Sequence, residues 1–354
     1  MKTLTRLLTV AALASLFALP SFAQDAAAAA NPCESQERTD LYTKYFNEKK
    51  ASDQAPAFAT AKQYLEKYET ACPDQYSKAV RKFHDAYQSA LGGVKVQTDF
   101  YGAVNAKDAR KAIEAGKQLL AKEPDNTAIY LLTAYTGYNG VILKGSPVYQ
   151  DPAVTSETLA AANRAIEMLQ AGKEPKDVTG KVSWAPFRDR ADALAWANFW
   201  AGALQYKTNP EVSAKHMIAV AQSNSTVKEE PTVYTILAVA LDTERARLLE
   251  EYKKFTEEND QSRIVLANIN QTLDRQIDAY ARAVAFAKPD DPRRAEWMTI
   301  LKDLYKARNN NSEAGLDAKI AAAKTTPLLV TTPITTPPPP TPAPNGQPTA
   351  EKKP

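Results

Sequence analysis

Two cysteines and two histidines are the only residues of their kinds in this 354-residue chain, and their positions restrict the chemistry open to them. A zinc site needs about four Cys or His ligands gathered together, and Cys33 and Cys72 have no histidine near them in sequence. His84 and His216 lie far apart, each inside a segment with helical periodicity, and read as packing or surface residues. The chain has no Gly-rich phosphate loop, no His-Glu-x-x-His, no Gly-x-Ser-x-Gly and no four-cysteine spacing. No catalytic residue, metal ligand or cofactor is therefore expected. What stands out is aromatic: Trp184, Phe187, Trp196, Phe199, Trp200 and Tyr206 gather three of the four tryptophans into one short span. Trp196 and Trp200, four apart, share a helix face. Such a wall can take an apolar side chain, a proline-rich peptide or a sugar ring; equally, it can fill the interface between stacked helices.

The start of the chain reads as an address. Lys2 and Arg6 precede an apolar run from Leu7 to Leu19, and Ser21-Phe22-Ala23 supplies the small residues a signal peptidase recognises. Residues 1–23 are expected to be removed after Ala23, leaving a disordered mature terminus at 24–32 and placing the protein in the periplasm or outside the cell. The short style of the signal points to a bacterium. The apolar run falls short of the roughly 20 residues that span a bilayer, and no later segment is apolar enough, so no stable membrane insertion is expected after cleavage. Cys33 follows Asn31-Pro32, which is not a lipoprotein box.

Lys and Arg number 44 and Asp and Glu 41, and loss of Lys2 and Arg6 brings the net charge from +3 close to zero. Opposite charges interleave at helical spacing, as in Glu250, Glu251, Lys253 and Lys254, which reads as a solvated helix face and not as a nucleic-acid surface.

These residues must be positioned by helices. Gly is scarce, Ala abundant and β-branched runs short, so the chain reads as all-α. Helical periodicity covers Ser35 to Lys49, Ala57 to Ala71, Tyr76 to Leu91 with Gly92-Gly93 as a stop, Ala109 to Leu120, and Ala128 to Gly140. It resumes behind a cap at Thr155 or Ser156 and closes at Gly172, then covers Ala191 to Tyr206. Asn209-Pro210-Glu211 opens the next helix with a cap, a first-turn proline and an acid. Further helices run from Pro231 to about Glu257, Arg263 to Ala287 and Ala295 to Arg308. Cys33 precedes the first helix and Cys72 follows the second, ends that are neighbours in an antiparallel hairpin; with an oxidising address this predicts a disulfide, worth very roughly 3 to 4 kcal/mol for a loop of that length. About a dozen antiparallel helices with short polar breaks predict an α-α solenoid over 33–324. From Thr325 to Pro354 the composition turns to Pro, Thr and Ala, and the expectation is a disordered tail that leaves the body at residue 325.

Ala112-Ile113-Glu114, then Leu119-Leu120 and Pro124-Asp125-Asn126, resembles the second helix and closing turn of a tetratricopeptide repeat, and Tyr130, Tyr135 and Tyr138 are similar to the aromatic-bearing first helix of the next. Ala279 to Phe286, Pro289-Asp290-Asp291 and Ala295-Glu296-Trp297 form a second, looser copy; spacing between copies is irregular. The resemblance implies a right-handed superhelix of helix pairs that binds peptides or protein surfaces in a concave groove, without catalysis. The groove residues expected on this reading are Tyr130, Tyr135, Tyr138, Trp196 and Trp200. The function expected is an exported, non-enzymatic protein-interaction scaffold with a protein or peptide partner. The alternative is a periplasmic binding protein for a glycan, a peptidoglycan fragment or a small ligand, using the aromatic cluster near Trp196. Expression with the native leader should give a mature chain beginning at Gln24 by intact-mass analysis; an uncleaved Met1 terminus would refute the export reading.

Overall fold

The computed structural model describes residues 31–177 and 180–339; the leader, most of the expected mature terminus and residues 340–354 of the tail lie outside these. The described residues form twelve α-helices and no strand. Where the sequence predicts one domain over 33–324, they fall into two compact units that part between Gly92 and Gly93.

The first unit contains α1 (Gln36–Glu48), α2 (Ala55–Tyr68) and the first part of α3 (Gln75–Asn105). Ser35 caps α1 by accepting from the Arg38 amide, and Pro56 sits at the start of α2, where its missing N–H costs nothing. Between the helices lies a core rich in rings: Tyr45, Tyr64, Tyr68 and Phe83 are buried with Ala57, Ala61, Leu65 and Val80. Burial of side chains of this size contributes roughly 1.5–3 kcal/mol each. Arg38 is buried with them, and each part of its guanidinium finds an acceptor: Nε donates to the Tyr64 hydroxyl at 2.8 Å, Nη1 to the Cys33 carbonyl at 2.7 Å and Nη2 to the Asp74 carboxylate at 2.5 Å. Burial works to raise the Asp74 carboxyl, but Arg38 and the Ser77 and Tyr76 amides outweigh it and hold the group below its ordinary value. Cys33 and Cys72 stand at disulfide distance, with Cα atoms 5.5 Å apart, as the hairpin geometry predicts.

The second unit takes the rest of α3, then α4 (Ala109–Leu120), α5 (Thr127–Ile142), α6 (Pro152–Gln170), α7 (Arg190–Gln205), α8 (Pro210–Ala221), α9 (Pro231–Tyr252), α10 (Asp260–Phe286), α11 (Arg294–Arg308) and α12 (Leu316–Ala322). From α4 to α11 each helix packs on its successor in sequence, and α4 also meets α6, α5 meets α7, and α7 meets α9; α12 packs on α10. Abundant alanine permits this closeness. Ala161, Ala162 and Ala165 of α6, Ala193, Ala197 and Ala201 of α7, and Ala279, Ala281 and Ala283 of α10 are all buried. At Gly137 of α5 a Cβ would lie 2.1 Å from the Thr158 hydroxyl of α6, so no larger residue fits this crossing without displacing one helix. α4 is amphipathic, burying Ala109, Ala112, Ile113 and Gly116, whereas α5 is covered on most of its circumference. Asn126 caps α5 by accepting from the Ala128 and Ile129 amides.

Three expectations are corrected. Gly92-Gly93 does not stop α3: neither residue has positive φ, and the helix runs on to Asn105 because Phe100, fully buried against Ala115 and Ile129, repays the poor helix propensity of two glycines. α6 begins at Pro152 under an Asp151 cap, which leaves Thr155 inside the helix with its hydroxyl on the Asp151 carbonyl. The chain does not leave the body at Thr325; from Thr326 to Ile334 it lies along α10, its amides and carbonyls held by side chains. Among the described residues no helix is long and apolar enough to cross a membrane.

Because the disulfide ties only the first unit, reducing it should loosen α1 and α2 while α4–α11 keep their protection in hydrogen exchange. The loss expected is about 3–4 kcal/mol for a 39-residue separation. A single cooperative loss of protection across both units would refute it.

Candidate functional site

The most heavily built polar site in the second unit lies on α10. The helix opens with a capping box: the Asn259 side chain accepts from the Ser262 amide at 2.8 Å, and the Asn259 amide donates to the Ser262 hydroxyl at 2.9 Å. Its later half is buried almost all round, from Thr272 to Val284. In that apolar setting stand Asp278 and Arg282, one turn apart, their side chains only 9% and 5% exposed.

Arg282 is saturated. Nε donates to Asp278 Oδ2 at 2.9 Å, Nη1 to the carbonyls of Ala323 and Thr326 at 2.6 and 3.0 Å, and Nη2 to the Pro327 carbonyl at 2.6 Å. The same Asp278 oxygen accepts from the Leu329 amide at 3.0 Å. Ten residues earlier on the helix, Asn268 takes both polar groups of one residue: its Nδ2 donates to the Ile334 carbonyl at 2.9 Å, and its Oδ1 accepts from the Ile334 amide at 2.8 Å. The spacing explains why both grips hold. Extended chain from Leu329 to Ile334 advances about 16 Å, and helix from Asp278 back to Asn268 about 15 Å, so the segment runs antiparallel to α10 in step with it.

Proline makes the segment suitable for this path. Pro327 and Pro333 have no N–H to satisfy and favour an extended backbone, which leaves the carbonyls around them free for Arg282. Only the Leu328 side chain reaches the main core, while Leu329 and Val330 remain 39% and 45% exposed. Cavities flank the segment. One of about 510 Å³ is lined by Tyr252, Arg263, Leu266, Asp274, Arg308 and the prolines 338 and 339; another of about 550 Å³ lies against Pro210, Ile218, Arg247, Arg275, Thr331 and Pro333. Behind Arg282, Tyr234 stacks on Phe286 at 5.5 Å, and burial pushes its phenol up to about 12.

The residues expected from sequence to form a groove are arranged differently. Trp200 is 1% exposed and Tyr138 is 8% exposed, so neither offers a face to a partner. Trp200 contacts Tyr135, Phe187 and Trp196, and Tyr138 meets Phe199 edge-on, which knits α5 to α7. Tyr130, Tyr135 and Trp196 are half-buried on the margin of that core. Of the five residues, Tyr138 and Trp200 thus belong to an interhelical packing cluster, since rings pack wherever a neighbouring helix covers their face, while Tyr130, Tyr135 and Trp196 stay partly open. His216 hydrogen-bonds the Asn198 amide oxygen at 2.8 Å, and burial lowers its pKa; His84 stacks on Phe58. Among the described residues no group of three His, Cys, Asp or Glu side chains could hold a metal ion.

Sequence reasoning missed Asn268, Asp278 and Arg282. A signal existed for two of them, because Asp278 and Arg282 are an i,i+4 charge pair in the apolar run from Ile277 to Phe286, where a lone surface salt bridge has no place. Asn268 carries no such mark. Compared with known proteins, the chain matches no family model, no curated protein and no solved structure.

The two grips should respond differently to substitution. Asn268→Ala removes two exchangeable bonds and should cost about 1–2 kcal/mol while speeding amide exchange at Ile334. Arg282→Leu strips buried Asp278 of its close charge partner, leaving it the Leu329 amide and Lys319 Nζ at 4.0 Å, and should cost about 3–5 kcal/mol, seen as a drop in thermal midpoint. Equal, negligible effects would show that neither side chain holds the segment.

Proposed function

We propose that this chain is an exported, non-enzymatic interaction module whose partner is a protein or peptide. The observation that carries the reading is the manner in which α10 holds extended chain: side chains read the backbone at three places, and one apolar residue is anchored. Backbone recognition of an extended segment is the general chemistry of peptide binding. The succession of helices, each on its neighbour and several on the next but one, supports a stack of antiparallel helix pairs, the arrangement that the tetratricopeptide resemblance implies. Export is supported by the leader sequence and by the cysteine pair at disulfide distance.

The observations favour a peptide over a sugar. Ring stacking on a glycan needs an open aromatic face, and burial of Trp200 leaves only the half-buried Trp196 on that helix. The test is cross-linking mass spectrometry on the full chain recovered from its native envelope. A defined protein cross-linked to the face formed by α8 to α11 is expected; recovery of a single small metabolite or glycan with no cross-linked protein would overturn the reading.

A further inference from the structure

We infer that the groove along α10 is an exchangeable peptide-binding site, held in cis by this chain's own Thr326–Ile334 and opened to a partner protein that presents an extended, proline-containing segment. The inference rests on the interaction-module reading and names the partner's chemistry.

Three observations carry it. First, the recognition is transferable. Arg282, Asp278 and Asn268 bind carbonyls and amides, so any extended chain with an apolar residue at the place of Leu328, and free amides at the places of Leu329 and Ile334, meets the same demands. Proline at 327 and 333 is compatible because no N–H of either is used. Secondly, the resident segment fits incompletely. The Thr331 hydroxyl is buried without a partner, as is Arg263 Nε, and Arg263 lines the cavity of about 510 Å³ beside Ile334 and Pro338. A buried donor without an acceptor is a standing cost, which a partner chain carrying a carboxylate or amide near the place of Pro338 would relieve. Two aliphatic side chains of the segment, Leu329 and Val330, point substantially into solvent. Thirdly, the segment follows α12 directly, which ends at Ala322, and that short tether gives the cis occupant a high effective concentration. A tightly tethered, imperfect ligand is displaced only by a better one, so the tail sets a threshold for partner binding.

The experiment uses the full chain. Leu329→Pro with Ile334→Pro deletes both gripped amides while preserving an extended backbone, and so weakens the tail's hold to its carbonyl bonds and Leu328, releasing it more readily without touching the body. A fluorescent peptide of residues 324–339 is then titrated and followed by anisotropy. It should bind the released chain at least tenfold more tightly than the wild type, lose about tenfold when Asn268→Ala is added to the receptor, and bind severalfold tighter when it carries Pro338→Glu. No binding to a released chain that keeps its helical circular dichroism would overturn the inference, as would equal affinity for wild type, released and Asn268→Ala receptors. A released chain that dimerises and excludes the peptide would make a second copy the occupant and overturn the assignment to a partner protein. If the double variant does not fold, the wild-type chain with excess peptide decides: faster amide exchange at Leu329 and Ile334 supports displacement, and unchanged exchange at saturating peptide refutes it. The broader reading fails separately, since a partner cross-linked elsewhere on the body would preserve it while the groove assignment falls.

Discussion

A guanidinium taken out of water must find acceptors for its N–H groups, and Arg282 finds them by drawing the segment after α12 back along α10. Burying that charge without satisfaction would cost several kcal/mol, more than a single apolar contact returns. Asp278 neutralises it, the carbonyls of Ala323, Thr326 and Pro327 complete it, and the Asp278 oxygen that takes Arg282 Nε also accepts from the Leu329 amide. The course of the C-terminal segment follows from this one requirement. It also explains why a stretch rich in Pro and Thr, with little to bury, is ordered: its order is imposed by polar groups of the helix beneath it and not by its own hydrophobicity.

The first unit uses the same device at its own scale. Arg38 is buried among tyrosines and ties the Cys33 carbonyl, the Tyr64 hydroxyl and Asp74 into one knot, beside the covalent tie between Cys33 and Cys72. A unit of two and a half helices has little apolar area to bury, and small domains in oxidising surroundings commonly add a cross-link for that reason. Between α5 and α7, by contrast, the connection is aromatic, with Trp200 and Tyr138 at its centre. Arginine knots thus hold irregular chain to helices, whereas rings and alanines hold helices to one another.

Much of this was legible before any coordinates. The helix start marked by Asn with a following proline, at Asn209-Pro210, is readable because capping is a local event governed by residues within one turn. Asp151-Pro152 carries the same mark, one turn before Thr155. The failure at Gly92-Gly93 has a different origin. A glycine pair ends a helix only if nothing rewards its continuation, and the reward, Phe100 buried against Ala115 and Ile129, lies beyond the local window. The aromatic cluster leaves groove and packing both open for a similar reason, since periodicity places Trp196 and Trp200 on one face but is silent on whether another helix covers it.

By itself the sequence determined the helical class, most helix boundaries and the pairing expected of the cysteines, because each depends on residues close together or on composition. The tertiary structure alone decided which aromatic faces are buried, where the first unit ends, and that residues 326–334 lie along α10. The grip of Asn268 on Ile334 joins residues 66 apart, and that of Asp278 on Leu329 joins residues 51 apart. No local period encodes such pairings, for they exist only once the intervening helices have packed and carried the two ends together.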